Sequence, residues 1–123
     1  MTDYELSGKV LACAFAVHAE LGAGLLESVY QQCLAYELRT AGLSVETEKP
    51  LPVIYQGMEM PRGFRVDILV EHRLVLELKV VDAIMPNHVA QVLSYLTFLG
   101  CKYGLILNFM EASLKNGIKR VAL

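Results

Sequence analysis

Acidic and basic side chains lie in two neighbouring stretches whose sequence alternates between apolar and polar residues. Asp67 lies in Phe64–Val70, and Glu77 and Lys79 lie in Leu74–Val80. Two carboxylates side by side supply the hard oxygen ligands that Mg²⁺ and Mn²⁺ prefer. A lysine on the same face can stabilise the negative charge that develops on a phosphate group under attack. The residue types therefore predict metal-dependent chemistry on a phosphate ester.

The alternation also predicts how the two stretches pair, because a strand places every second side chain on one face. The two apolar sets are Phe64, Val66, Ile68 and Val70, and Leu74, Leu76, Leu78 and Val80. A reversal at Glu71–Arg73 pairs them in antiparallel order: Val70 with Leu74, Ile68 with Leu76, and Val66 with Leu78. This register places Asp67 opposite Glu77, with Cβ atoms about 4.5–5.5 Å apart. A slip of one residue would separate the apolar sets.

The hairpin has a second interpretation that the pattern alone leaves open. Asp67 and Glu77 are also what the solvated face of an antiparallel hairpin would carry, with Arg65 and Lys79 as neutralising partners. Charged residues are common on such faces. A choice between the two interpretations depends on what covers this face of the hairpin.

Three helices are predicted from apolar residues at helical spacing and from their boundary residues. The predicted ranges are Tyr4–Leu21, which the Gly22–Gly24 segment ends, Leu26–Thr40, which Gly42 closes, and a helix from an N-cap at Asn87 to Leu99. The last of these helices places His88, Gln91 and Tyr95 on one side at i, i+3 and i+7.

Strands are predicted where the period changes to two or where a short apolar run is bounded by turn residues. They are Leu43–Lys49 and Leu51–Tyr55, then Phe64–Val70, Leu74–Val80, Tyr103–Phe109 and a last strand within Gly117–Leu123. Pro50 and Pro52 favour an edge position for the first two, because proline cannot donate to a ladder. This order of elements predicts an α/β fold, with a central mixed β-sheet flanked by α-helices.

The composition limits the class of protein. The chain has 123 residues, of which 54% are hydrophobic and 20% charged, so we expect a single globular domain over residues 1–123. The net charge of −2 argues against a protein that coats nucleic acid by broad phosphate attraction. No apolar run is long enough for a membrane span. Three widely spaced cysteines, Cys13, Cys33 and Cys101, predict buried thiols in a reducing, cytoplasmic compartment.

A wider set of motifs resembles a known family. Gly24, Glu27 and Tyr30 match the GxxExxY signature that gives the family its name. The match extends over nearly the whole chain: Glu37–Leu38, Gly42–Leu43, Phe64–Asp67, Glu77–Lys79, Gln91–Tyr95 and Gly117–Arg120. The family is similar to the PD-(D/E)XK nuclease superfamily. The resemblance implies a restriction-endonuclease-like core with a metal-dependent phosphodiesterase centre.

The resemblance also implies roles for individual residues. Asp67 and Glu77 would be the metal-binding carboxylates, and Lys79 the lysine of the ExK element. Glu27 would be the further acidic residue that several branches of the superfamily use to complete the metal shell. Gln91 and Tyr95 resemble the QxxxY element that borders the site in the exonuclease-like branch. Val66 stands where the superfamily pattern has proline, a departure that many members share.

Several of these residues can also be explained by the fold alone, without a role in a functional site. Gln91 and Tyr95 are also what the surface of an amphipathic helix would carry. Glu27 in a first helical turn is favoured by the helix dipole. His18 is a secondary candidate for the site, although a histidine bonded within the core is the simpler expectation.

The residues and the resemblance together predict a metal-dependent nuclease that hydrolyses DNA or RNA with a water activated by Mg²⁺ or Mn²⁺. The alternative is a non-catalytic module of the same fold that binds nucleic acid or metal, or that serves in assembly, because fold does not fix function. A metal-dependent hydrolase of small phosphoesters is a third possibility. The high apolar content of so short a chain also predicts a homo-oligomer.

Overall fold

The helices of the first third of the chain follow their apolar spacing. The computed structural model describes residues 1–60 and 63–123, and in it α1 spans Asp3–Leu21 and α2 spans Glu27–Thr40. The side chain of Thr2 caps α1 in a reciprocal pair of hydrogen bonds with Glu5. Glycines with positive φ, Gly22 and Gly42, follow the two helices, as the sequence predicts.

The remaining elements form a mixed sheet. They are β1 (Val45–Leu51), β2 (Ile54–Tyr55), β3 (Met58–Glu59), β4 (Phe64–Val70), β5 (Leu74–Lys79), α3 (Pro86–Leu99), β6 (Tyr103–Asn108), a 3₁₀ turn (Leu114–Gly117) and β7 (Ile118–Ala122). The five-stranded sheet has the order β1-β4-β5-β6-β7, and β2 and β3 form a separate hairpin. Strands β5 and β6 are parallel, and the other neighbours are antiparallel. The predicted α/β class with a central mixed sheet is confirmed.

Helices cover both faces of this sheet. On the α1–α2 face, buried residues of the two helices pack on the sheet: Leu6, Val10, Ala14, Val17, Tyr30, Leu34 and Leu38 against Ile68, Val70, Leu74, Leu76, Leu78, Leu105 and Leu107. On the α3 face, the core consists mainly of Val92, Tyr95 and Leu96 against Leu51, Val66, Leu69, Val75, Ile106 and Val121. Strand β5 is therefore buried from Leu74 to Leu78, the position of a central strand in a sheet covered on both sides.

The predicted hairpin register is confirmed near the turn and differs further away. Residues 71–73 form the reversal, and Val70 pairs with Leu74 and Ile68 with Leu76. Over the described residues, the β4–β5 ladder ends at that second pair, so the expected pairing of Val66 with Leu78 is not formed. The two strands separate at the position where Asp67 and Glu77 were expected to face each other.

The prediction of one continuous apolar face along β4 is wrong. Ile68 and Val70 pack on the α1–α2 face, whereas Phe64 and Val66 pack on the α3 face. The edge strand β1 makes the same change, because Val45 packs on the first face and Leu51 on the second.

The change of face coincides with a strained residue in β1. Glu48 has a positive φ of 50°, which disfavours L-residues. The register of β1 with β4 is the same on both sides of it, with Thr47 opposite Ile68 and Lys49 opposite Val66. Both strands therefore rotate together at the position of Glu48 and Asp67, without inserting a residue. A regular period of two cannot anticipate such a rotation.

Two boundary predictions also need correction. A single strand, β1, continues through Pro50 to Leu51, where two strands separated at Pro50 were expected. Pro50 fits there because β1 is an edge strand, as predicted. Helix α3 begins at Pro86 after an N-cap at Met85, so Asn87 is not the cap. The ring nitrogen Nδ1 of His88 accepts a hydrogen bond from the Met85 N–H at 2.9 Å and satisfies that donor.

Close packing of β5, β6 and α3 makes Gly104 intolerant of a side chain. A Cβ atom there would lie 2.7 Å from the carbonyl oxygen of Val75 and 3.3 Å from a methyl group of Val92. We expect Gly104→Ala to lower the free energy of unfolding by about 1–3 kcal/mol, because the neighbouring backbone has to move. The measurement is urea denaturation followed by circular dichroism.

Gly8 provides the matched control for this substitution. It lies in α1, and no other group comes within 4 Å of the position that a Cβ atom would take there. We expect Gly8→Ala to raise the free energy of unfolding by about 0.5–1 kcal/mol, because alanine restricts the unfolded chain and favours helix. Equal effects of the two substitutions would contradict the packing described for β6.

Candidate active site

Asp67 lies where β4 and β5 separate, and its side chain replaces a backbone carbonyl as a hydrogen-bond acceptor for β5. Its Oδ2 atom accepts a hydrogen bond from the Leu78 N–H at 2.8 Å. The N–H of Leu78 belongs to a buried strand, where an unpaired donor would be costly. The hydrogen bond thus satisfies this donor and fixes the Asp67 carboxylate beside the end of β5.

Glu77 is buried on the α3 face, with 4% of its surface exposed. Burial raises the pKa of its carboxyl group to about 9, and Asp67 adds to the rise as a hydrogen-bond partner and as a like charge, whereas Lys79 opposes it. Two carboxyl groups therefore adjoin each other under the cover of α3. The interpretation of this hairpin as a solvated face is wrong for Glu77.

Helix α3 brings Gln91 and Tyr95 to the same place. Tyr95 is buried, with 2% of its surface exposed, and its ring lies edge-on to Phe64 at 5.4 Å between centroids. Burial raises the pKa of its hydroxyl, and the charges of Glu77 and Asp67 raise it further. Hydrogen bonding with Gln91 lowers the pKa of Tyr95 again. The polar groups of Tyr95, Gln91, Glu77 and Asp67 are therefore neighbours. The surface interpretation of Tyr95 is wrong.

Glu27 reaches the site from the first turn of α2. The residue as a whole is exposed, but the protein around its carboxyl group excludes enough water to raise the pKa. The charge of Asp67 raises the pKa of Glu27 further, and the charges of Lys79 and His88 lower it. Side chains from β4, β5, α2 and α3 therefore contribute to one charged cluster.

Two residues of the GxxExxY signature explain why Glu27 is held in place. The hydroxyl of Tyr30 donates to the carbonyl of Gly22 at 2.5 Å and accepts from the Leu25 N–H at 3.1 Å. Its ring is buried and stacks on Phe109 at 4.4 Å. Gly24 has a φ of 85°, which favours glycine. The signature thus anchors the loop before α2, one helical turn from Glu27.

His18 has a structural environment. Its Nε2 atom is 2.8 Å from the carbonyl oxygen of Glu111, and its ring lies 6.0 Å from that of Phe109. The groups that act on the charge of Glu77 are Asp67, Lys79 and Glu27. These contacts suit a histidine that ties α1 to the segment after β6.

Comparison with known proteins bears on the whole chain. The sequence model of the PD-(D/E)XK nuclease superfamily matches residues 4–121. The chain belongs to the PD-(D/E)XK nuclease superfamily. No match is found among curated proteins or among solved structures. Membership indicates a nuclease-type function and a nucleic-acid substrate, and PD-(D/E)XK nucleases generally use divalent metal ions.

The donor set of this PD-(D/E)XK chain fits a divalent cation in part. Asp67 and Glu77 present hard oxygen donors side by side. Within residues 1–60 and 63–123, no three Asp, Glu, His or Cys side chains already converge as a ligand set. Glu27 is therefore close enough to feel the charge of Asp67 but is not placed as a third ligand. Burial is the main cause that raises the pKa values of Glu77 and Glu27, and the charge of Asp67 adds to both shifts. A cation bound beside these groups would oppose the shifts, because it stabilises the ionised carboxylates.

Sequence reasoning overlooked Asn108, which ends β6 next to the site. Its side chain is buried, and its backbone pairs in register with Lys79. The Oδ1 atom accepts from the N–H groups of Val81 and Met110, and Nδ2 donates to the carbonyl of Val81. The signal in the sequence was a polar residue, Asn108, near the end of the apolar run Tyr103–Phe109. Asn108 fixes the segment that follows Lys79.

No helix in the described part of the chain has the length and apolar character that a membrane span requires.

The raised pKa of Glu77 predicts how stability depends on pH in metal-free protein. The folded state retains the proton up to a pH of about 9, whereas an unfolded glutamate releases it near pH 4.5. Stability is therefore highest below the lower value and declines as the pH rises towards 9, because folding then requires a buried charge. We expect denaturant unfolding in EDTA to show this decline between pH 5 and 9 (roughly the range of the two pKa values).

The Glu77→Gln variant is the comparison for this prediction. Its amide keeps the shape of the side chain but has no proton to lose in this range. We expect its stability to vary less with pH than that of the wild-type protein. Parallel pH profiles for the two proteins would show that Glu77 is not protonated in the folded state.

Proposed function

We propose that this protein is a metal-dependent nuclease that hydrolyses phosphodiester bonds of DNA or RNA. The observation that carries the proposal is the adjacency of Asp67 and Glu77 at the end of β5, with Lys79 and Glu27 within their electrostatic reach. The superfamily match over residues 4–121 supports it independently.

Each residue of the site has a role in this proposal. Asp67 and Glu77 would hold Mg²⁺ or Mn²⁺, and Glu27, whose carboxyl group feels the charge of Asp67, would be the further acidic residue beside them. A cation held there would supply a Lewis acid for the activation of water and for the neutralisation of phosphate charge. Lys79 stabilises the negative charge on the phosphate oxygens and positions the attacking water.

Helix α3 contributes orientation to the proposed reaction. Gln91 hydrogen-bonds the attacking water or a phosphate oxygen, because its amide can both donate and accept. Tyr95 borders Gln91 and Glu77 from the buried side of the site. The cover of α3 also excludes water, which strengthens every electrostatic contact at Glu77.

Within the superfamily, we assign the chain to the GxxExxY branch. The support is structural as well as sequential, because Gly24 and Tyr30 shape and anchor the loop that leads to Glu27. In this proposal, Gly24 and Tyr30 of the signature position Glu27 at the site.

Substitutions at the site test the proposal through cleavage of single- and double-stranded DNA and RNA. We expect wild-type protein to cleave at least one of them with Mg²⁺ or Mn²⁺ and not with EDTA. Asp67→Asn should abolish cleavage, because the amide can keep the hydrogen bond from Leu78 but loses the charge that holds the cation. Lys79→Ala should lower the rate by roughly a hundredfold to a thousandfold, as for other removed transition-state donors.

Matched controls separate these effects from general changes of charge. Glu20→Gln and Lys9→Ala each remove one charge from an exposed position of α1, and we expect both variants to keep the wild-type rate. A wild-type protein that binds nucleic acid without cleaving it would favour the non-catalytic module of the same fold. Full activity in Asp67→Asn would overturn the assignment of the site.

We also propose that the protein forms a homo-oligomer through the β2–β3 hairpin. Ile54, Tyr55 and Met58 are 59%, 62% and 65% exposed, an apolar surface that association would cover. We expect light scattering at micromolar concentration to give at least a dimer mass, and Tyr55→Ser to reduce it. Tyr36→Ser removes a tyrosine that is 67% exposed on α2 and serves as control. A monomeric wild-type protein would contradict the proposal.

A further inference from the structure

A large cavity lies beside the candidate site and not within it. Its volume is about 650 Å³, within the range of about 300–1,000 Å³ that small-molecule sites occupy. One wall is the segment before α3 and the first turn of that helix, with Ile84 and Val89. The other wall is the end of β6 and the start of β7, with Asn108 and Lys119.

The strand registers place this cavity next to the carboxylates. Glu77 pairs with Ile106, and Ile106 pairs with Lys119, so the three residues form one row across β5, β6 and β7. Glu77 and Ile106 contribute to the α3 face, and directly paired residues point to the same face. Because neighbouring strands lie about 4.8 Å apart, the backbone of Lys119 is about 10 Å from that of Glu77.

The wall between the site and the cavity is preformed. Asn108 pairs with Lys79 on one side and lines the cavity on the other. Its buried side chain binds both backbone groups of Val81 and the N–H of Met110, at 2.9 to 3.2 Å. A cavity held in this way needs little reorganisation when a ligand enters.

We propose that this cavity receives a nucleobase of the bound nucleic acid, from a nucleotide next to the phosphodiester at Asp67 and Glu77, while Lys119 binds an adjacent phosphate. The inference rests on the proposed function for the identity of the ligand. Apolar side chains of Ile84 and Val89 suit the faces of a base, and Asn116 at the other wall offers donors and acceptors for its edge. In this arrangement the nucleic-acid strand leaves the site along the row from Glu77 to Lys119.

Abasic nucleotides test for the base pocket. Affinity for a fluorescein-labelled oligonucleotide is measured by anisotropy in EDTA, with one abasic position moved along the strand. We expect one position to lower the affinity of wild-type protein by about tenfold, because the abasic nucleotide loses the apolar contacts of its base with Ile84 and Val89. Ala83→Phe places a phenyl ring at the cavity lining. We expect this variant to bind the intact oligonucleotide about as weakly as the wild-type protein binds the abasic one. The abasic substitution at that position should then have no further effect on the affinity of the variant.

Two control variants complete this design. Ala41→Phe adds the same ring at an exposed position after α2 and should retain the full effect of the abasic position. Lys119→Ala should weaken binding and reduce the slope of log affinity against log salt by about 0.7–0.9, the value for one phosphate contact. Lys102→Ala removes an exposed lysine before β6 and should leave the slope unchanged.

The outcomes separate this inference from the proposed function. A flat abasic profile, or equal behaviour of Ala83→Phe and Ala41→Phe, overturns the base pocket even when the wild-type protein cleaves. A position-specific effect that Ala83→Phe removes supports the pocket even when no cleavage is found, in which case only the nuclease proposal fails. If Ala83→Phe changes the mass in light scattering but not the affinity for the oligonucleotide, the cavity binds a second copy of the chain and the inference is wrong.

Discussion

The hydrogen bond from the Leu78 N–H to the Asp67 carboxylate is the interaction on which the arrangement of the site depends. It occurs where the β4–β5 ladder ends and where β1 and β4 rotate between the two faces of the sheet. A buried strand cannot leave its N–H unpaired without cost. The side chain of Asp67 therefore replaces a backbone partner, and this requirement places its charge beside Glu77.

The second constraint is the cover that α3 provides. Because helices pack on both faces of the sheet, Glu77 cannot escape to water, and its pKa rises to about 9. A buried carboxylate is costly unless a positive charge or hydrogen-bond donors surround it. Lys79 supplies part of that compensation. The retained proton supplies the rest, and a strongly shifted pKa of this kind is characteristic of functional sites.

Buried side chains anchor the backbone on either side of the charged cluster. Tyr30 secures the loop before Glu27 through two hydrogen bonds and a stacked ring. Asn108 secures the segment after Lys79 through its side-chain amide. Both anchors are buried residues bound to backbone groups, so charged side chains are held by elements that do not depend on solvent-exposed ion pairs. Asn108 also lines the neighbouring cavity.

The sequence by itself determined the class of fold, the helices, the hairpin turn and the pairs Val70–Leu74 and Ile68–Leu76, because these follow from apolar periodicity and local turn chemistry. Its motifs also predicted a set of site residues, and the superfamily that these motifs resemble matches residues 4–121. Only the tertiary structure decided that Glu77 is buried and that Val66 and Ile68 lie on opposite faces. The reason is that both facts depend on distant segments: α3 covers Glu77, and Glu48 of the edge strand adopts a left-handed conformation beside Asp67. Periodicity describes a strand by itself, whereas the environment of its charges is set by what packs against it.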